Sequence, residues 1–309
     1  MPISPADAEH KAPGDSLRGF FCAASAYLIW GLSPIYWKTL SGVPPFEVLL
    51  HRIVWSFFFL LPLVAREKSR HEFLAAVRDR RILGIMLGTA VLVSINWLVF
   101  IWAIANDMVL QTSLGYYINP LLSVLLAMVI LREHLRRAQA LSVVLAGIGV
   151  LYLTVSLGQF PWVAFSLAIS FGLYGLIRKV APVSALAGLT IETLLLLPPA
   201  AAWLLYLHAT GRGAFLRMGI FIDLSLMASA LVTALPLLLF TLGARRLHLS
   251  TIGFMQYIVP SCFFLFAVFL FKEPVSPVQI TTFIFIWSAL ALYSADSVLA
   301  HRKGSRSLR

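Results

Sequence analysis

Charge is what this sequence has least of. Only 12% of its residues are Asp, Glu, Lys or Arg, and the acidic side chains number 13 in 309 residues. An average soluble domain carries about a quarter charged residues, enough to cover its surface with groups that water solvates. A chain this poor in charge, 60% hydrophobic and with a mean hydropathy of +0.89, has no such coat and suits a lipid-facing surface instead. Cysteine is nearly absent: Cys22 and Cys262 both fall inside apolar runs, which excludes a disulfide framework and leaves them as small core or lipid-facing residues. Enzyme signatures are missing too, with no phosphate loop ending in Gly-Lys, no His-Glu-x-x-His and no Gly-x-Ser-x-Gly. Of the seven histidines only His51 lies deep in an apolar run, so no catalytic residue, metal site or cofactor is expected.

The charge that is present is lopsided, at +11 net. Nucleic acid is excluded as the partner by position, because the basic residues sit almost entirely in short connections between apolar runs. A hydrocarbon core about 30 Å thick takes roughly 20 apolar residues per helix. Runs of that kind cover 19–37, 45–65, 82–105, 110–131, 138–156, 160–178, 185–208, 221–242, 249–271 and 277–299. They predict an all-α membrane protein of ten transmembrane helices, since helices satisfy their own backbone in lipid. Residues 1–17, with Pro2, Pro5, Pro13 and Gly14, lack the basic start, apolar centre and small-residue cleavage site of a signal peptide and read as a polar tail.

Placing the N-terminus in the cytoplasm puts nineteen Lys and Arg residues on the cytoplasmic side and four (Lys38, Arg212, Arg217, Lys272) outside, with Arg52 inside a run. That bias follows the positive-inside rule and predicts that both termini are cytoplasmic. The chain also repeats at an offset of 140: Tyr117-Ile118-x-Pro120 returns as Tyr257-Ile258-x-Pro260, and Arg132-Glu133 as Lys272-Glu273. Five helices per copy is an odd number, so the second copy enters from the opposite side. The expected plan is two inverted five-helix repeats, 18–156 and 157–300, followed by a basic tail, 301–309, with a solute site near mid-membrane between the repeats.

Polar residues inside spans each cost free energy unless they face partners or water. The fourth run places Thr112, Tyr116, Asn119 and Ser123 on one helix face, and Pro120 removes the helical partner of the Tyr116 carbonyl. Such a stripe either lines a solute path or glues helices together. The ninth run repeats it with Gln256, Tyr257 and Ser261 around Pro260. Tyr27 and Trp30 precede Pro34 in the first run, Ser170 and Tyr174 share a face of the sixth, and Asn96 and Trp97 lie in the third. Together they would line an aromatic cavity with sparse hydrogen-bonding groups, suited to a small amphipathic organic solute. Buried charge is confined to His51 and Arg52 in the second run and Glu192 in the seventh. Arg52 and Glu192 share the 140 offset and form a candidate pair, either a gate coupled to protons or a static bridge. Glu133 and Glu273, each after a basic residue at a run's end, read as exposed interfacial charge, and Gly84-x-x-x-Gly88 as a face for close helix approach.

Several stretches in order, among them Ala26-Tyr-Leu-Ile-Trp-Gly-Leu-Ser-Pro34, His51-Arg-Ile-Val-Trp-Ser-Phe-Phe-Phe59, Ser113-Leu-Gly-Tyr-Tyr-Ile-Asn-Pro-Leu121, Ile191-Glu-Thr193 and Leu249-Ser-Thr-Ile-Gly-Phe-Met-Gln-Tyr-Ile258, resemble the drug/metabolite transporter superfamily, its EamA type and the RarD branch within it. The resemblance spans roughly residues 17–300 and implies ten helices in two inverted EamA repeats. Helices one to four and six to nine would surround a central cavity, in a bacterial plasma-membrane permease for amino acids, metabolites or drugs. The expected function is secondary transport by alternating access, with possible proton coupling. The alternative is a membrane sensor or assembly subunit without flux of its own; short connections and the lack of a sizeable soluble domain weigh against it. Monomer and homodimer are both open at this level.

Overall fold

The computed structural model describes residues 13–105, 109–156, 158, 160–266, 269 and 276–306. Every regular element among them is helical: α1 (Pro13–Lys38), α2 (Pro45–Val64), α3 (Glu67–Arg78), α4 (Arg80–Ala105), α5 (Val109–Val129), α6 (Arg137–Ser156), α7 (Trp162–Val180), α8 (Ala185–Ala209), α9 (Ile220–Ala244), α10 (Leu249–Met255), α11 (Ile258–Leu265) and α12 (Pro277–Arg306). Eight of these helices are long and apolar enough to cross a membrane, and α5 adds a shorter apolar stretch, Leu114–Val129. The protein is therefore a multi-pass, all-helical membrane protein.

Three features differ from the linear reading. The ninth run is not one helix but two, α10 and α11, separated by a turn at Gln256 and Tyr257. Pro260 explains the place of the break. It offers no N–H to the Gln256 carbonyl, and its ring crowds that oxygen; the Val259 amide takes the carbonyl instead, at 3.1 Å. Second, the charged connection after α2 folds as α3. Phe73, Ala76 and Val77, at helical spacing, pack with Ile82, Met86, Ala187 and Ile191, enough to anchor an otherwise polar helix. Third, α1 begins at Pro13 and α12 continues through Arg306, so part of each expected tail is helical.

By its contacts the described chain forms two compact units, Met1–Val91 with Ile177–His248, and Leu92–Leu176 with Leu249–Arg309. In the first unit α1 packs along α9, α2 lies against both α8 and α9, and α3 rests on α8. In the second, α6 packs along α12 and α5 against α10. The core of the second unit is aromatic at its centre, where Tyr117 meets Phe283 edge-on at 5.5 Å and Phe254 stacks on Tyr293 at 4.0 Å.

Candidate solute and proton sites

In the second unit, α5 carries the polar stripe. Asn119 and Ser123 are buried, and Tyr116, half-buried, meets Phe100 edge-on at 6.3 Å. The side chain of Thr112 lies outside those described. Asn119 stands immediately before Pro120 inside α5, and its Oδ1 is buried with no hydrogen-bond partner among the described residues. Leaving a buried acceptor unmade costs about 1–3 kcal/mol, so it marks a place where a bound molecule has something to offer. The helix opposite comes very close: a Cβ on Gly253 would lie 2.8 Å from the Pro120 carbonyl and 3.0 Å from Ser123 Cβ, so only glycine lets α10 pass there. Just beyond, Gln256 is buried at the α10–α11 break.

Other expected lining residues are tied to protein partners. Asn96 Nδ2 donates to the Leu167 carbonyl at 2.9 Å and to Ser170 Oγ at 3.0 Å, while Ser170 donates to the Ser166 carbonyl at 2.7 Å. These two candidates thus meet each other and bind α4 to α7. Tyr174 is fully buried with its ring 5.8 Å from Phe171, and Trp97 is half-buried. Tyr257 and Tyr117, related by the 140 offset, touch: the Tyr257 hydroxyl donates to the Tyr117 carbonyl at 3.3 Å. Ser261 donates to the Tyr257 carbonyl at 2.7 Å and accepts from Trp287 Nε1 at 2.9 Å. Glu133 is no idle interfacial charge, because its carboxylate accepts the Leu249 and Ser250 amides at 2.7 and 3.1 Å and so caps α10 from a distant connection. Glu273 lies outside the described residues. A Cβ on Gly84 or Gly88 would meet nothing, so that pair makes no close helix approach among the described residues.

In the first unit, Tyr27, Trp30 and Phe240 form an aromatic triad with centroids 5.8 to 6.1 Å apart. The Trp30 carbonyl, four residues before Pro34 and so without a helical N–H from it, accepts the Ser33 hydroxyl at 2.7 Å. Arg52 and Glu192 each reach a side chain that the spacing did not suggest. Arg52 Nε donates to Thr233 Oγ1 at 2.8 Å, and its guanidinium lies 4.7 Å over the Trp37 ring. Glu192 lies 3.5 Å from Nε of Arg178, the last residue of the sixth run. Arg178 is fully buried, donates to the Ala185 carbonyl at 2.8 Å and reaches Met86 Sδ at 3.4 Å. Gly188 makes room for it: a Cβ there would lie 2.0 Å from Arg178 Nη1. Around this pair, Lys179 donates to the Ala244 and Leu247 carbonyls, and Arg245 to those of Ala181 and Val183. Burial first, and then the neighbouring Arg178 and Arg246, lower the pKa of Arg245. Arg178, Lys179 and Arg245 thus satisfy carbonyls at helix ends.

At the other end of α2, Glu47, His51 and Trp55 follow one another at four-residue spacing on one face. Glu47 Oε1 accepts the Ala214 amide at 2.6 Å. His51 Nδ1 accepts the Trp55 indole N–H at 3.1 Å, and His51 Nε2 is 3.9 Å from Glu47 Oε1. Both side chains are buried, and Glu47 Oε2 and His51 Nε2 have no hydrogen-bond partner among the described residues. The linear reading had His51 but not Glu47; the Glu-x-x-x-His-x-x-x-Trp spacing was the signal available for it.

Similarity to known proteins follows the same lines. The description EamA-like transporter family matches residues 17–155. An uncharacterized transporter of Vibrio cholerae is 45% identical, with 95% of this chain and 97% of that protein covered. Protein RarD of Salmonella typhi is 43% identical over 93% of this chain and 97% of its own, and protein RarD of Escherichia coli K12 is 42% identical over 94% and 98%. A solved crystal structure, 18% identical, shares the fold with a TM-score of 0.68 over 94% of this chain and 99% of the other.

Proposed function

The chain belongs to the EamA-like transporter family and, within the drug/metabolite transporter superfamily, to its RarD proteins; from that premise we propose that it carries a small organic solute across the bacterial inner membrane by alternating access. Ten crossings arranged as two inverted repeats, 18–156 and 157–300, with both termini in the cytoplasm, agree with the nineteen-to-four placement of basic residues. The solute is a neutral or zwitterionic amphipathic molecule, recognised beside Asn119 with Tyr116, Ser123 and Gln256 as neighbours. The observation that carries this reading is the buried Asn119 Oδ1, without a partner among the described residues and next to Pro120 within α5. It waits for a donor such as an amine or amide N–H, and the surrounding aromatic surface supplies apolar contact.

Thermal unfolding of the purified protein against a panel of amino acids and amphipathic drugs tests it. A ligand at a hundred times its Kd stabilises the folded state by about 2.7 kcal/mol. The compound that raises the unfolding temperature of the wild type should do so far less for Asn119→Ala. An equal shift in both would remove Asn119 from the site.

A further inference from the structure

The transporter reading leaves unexplained the cluster at the outer end of α2. Two carboxylates hold the loop that joins α8 to α9. Glu47 Oε1 accepts the Ala214 amide at 2.6 Å, and Asp223 Oδ1 accepts the Leu216 amide at 2.7 Å. Between those amides the chain carries Phe215, whose ring lies 5.0 Å from His51 and 5.9 Å from Trp55. Leu216 is held at φ 63°, a left-handed conformation that a branched side chain adopts only under constraint. The loop is therefore pinned, with an aromatic ring seated on the histidine.

The hydrogen bonds define the protonation state. Since His51 Nδ1 accepts the Trp55 indole N–H, it carries no proton, and the neutral ring bears its hydrogen on Nε2, facing Glu47. One added proton cannot be accommodated without a change. On Nδ1 it would confront the Trp55 N–H, two donors against each other, so that bond must break. The imidazolium Nε2–H then draws the Glu47 carboxylate, which is already engaged with Ala214. Glu47 Oε2 and His51 Nε2, without hydrogen-bond partners among the described residues, give the site capacity beyond the bonds it makes. Asp223 on α9 lies within electrostatic reach of His51, and Arg52 follows it on α2 with its guanidinium over Trp37 on α1. On the connection itself, Arg217 is exposed and turns to the Gly211 and His208 carbonyls. Among the described residues no three His, Cys, Asp or Glu side chains converge as metal ligands, which leaves the proton as the cation this pair suits.

We propose that Glu47 and His51 form a proton-binding site whose occupation releases the α8–α9 loop from α2. Its physiological use, proton-coupled opening of the outer face, rests on the transporter reading; the site itself does not. In the proton-free state Glu47 and Asp223 latch the loop and Phe215 covers His51. Binding a proton converts His51 to an imidazolium, detaches Trp55, moves Glu47 off the Ala214 amide and unseats Phe215.

Hydrogen exchange of the full-length protein in lipid nanodiscs measures this without any solute. Exchange of the 211–218 amides, corrected for intrinsic rates, would be compared at pH 8 and pH 5.5. In the wild type, protection should fall at least tenfold at the lower pH. In Glu47→Gln, whose amide oxygen still accepts from Ala214, and in His51→Gln, protection should be the same at both. Asp223→Asn should keep the pH response. No pH response in the wild type, a response that survives in both Glu47→Gln and His51→Gln, or one lost only in Asp223→Asn would overturn the proposal. Should Glu47→Gln fail to fold, His51→Gln decides alone. Because no flux is measured, failure here is distinct from failure of the solute site at Asn119.

Discussion

The two units bury different chemistry. Among the described residues, the buried acids and bases (Glu47, His51, Arg178, Glu192 and Asp223) all lie in the first unit. The buried polar side chains of the second, among them Asn119, Ser123, Ser170, Gln256 and Thr282, are all neutral. A buried charge is stable only with a partner, so it makes a site that is either locked or switched by protonation. A buried neutral group costs less when left open and can therefore be kept for a ligand. The contrast teaches where each kind of work is affordable in a membrane protein: switching where charges pair, recognition where the polar groups are uncharged.

Removing one member of the Arg178–Glu192 pair should break the comparison most violently. Either Arg178→Met or Glu192→Leu strands a charge in low dielectric, at about 3–5 kcal/mol, while the double variant recovers most of that loss. Unfolding midpoints of the three variants measure it, and strictly additive losses would mean the pair contributes nothing jointly. Gly188→Ala should approach the single-variant loss, because the new methyl occupies the place of Arg178 Nη1.

A smaller effect, about 1–2 kcal/mol, is expected for Glu133→Ala, which removes the acceptor of the Leu249 and Ser250 amides at the start of α10. The smallest stability change should come from Asn119→Leu. Its buried oxygen has no partner to lose among the described residues, so the stability should stay within about 0.5 kcal/mol or rise. A large fall would mean that Asn119 serves packing. Orientation is checked separately: cysteines at Arg70 and Gly304 should label only from the cytoplasmic side and one at Arg212 only from outside. Shared labelling of Gly304 and Arg212 would contradict ten crossings.

Much of the fold was legible in the sequence, because a span is a property of some twenty consecutive residues and needs no knowledge of neighbours. The ends of α2, α6 and α8 fall within two residues of the apolar runs. The break between α10 and α11 was visible as Pro260 but not as a separation, since a proline kinks or breaks a helix according to what packs beside it, here Gly253 against Pro120. The helix α3 was hidden because Phe73, Ala76 and Val77 are few among charged residues. The partner of Glu192 was illegible for a sharper reason. Arg178 sits at the end of its run next to Lys179, where the charge count assigns it to the loop, and only the notch at Gly188 turns its side chain inward. Equal sequence offset, which suggested Arg52, reports equivalent positions and is silent about Arg178. The α5 stripe was legible as a spacing, yet which of its members is partnered depends on atoms no spacing reveals.

The central claim, that this is a transporter whose solute is held at Asn119, meets its most direct test in proteoliposomes. Uptake of the compound that most stabilises the protein would be compared for wild type and Asn119→Ala at equal reconstituted abundance. The account predicts saturable uptake by the wild type and at least a tenfold loss in the variant; equal uptake by both, or none by the wild type, would contradict it.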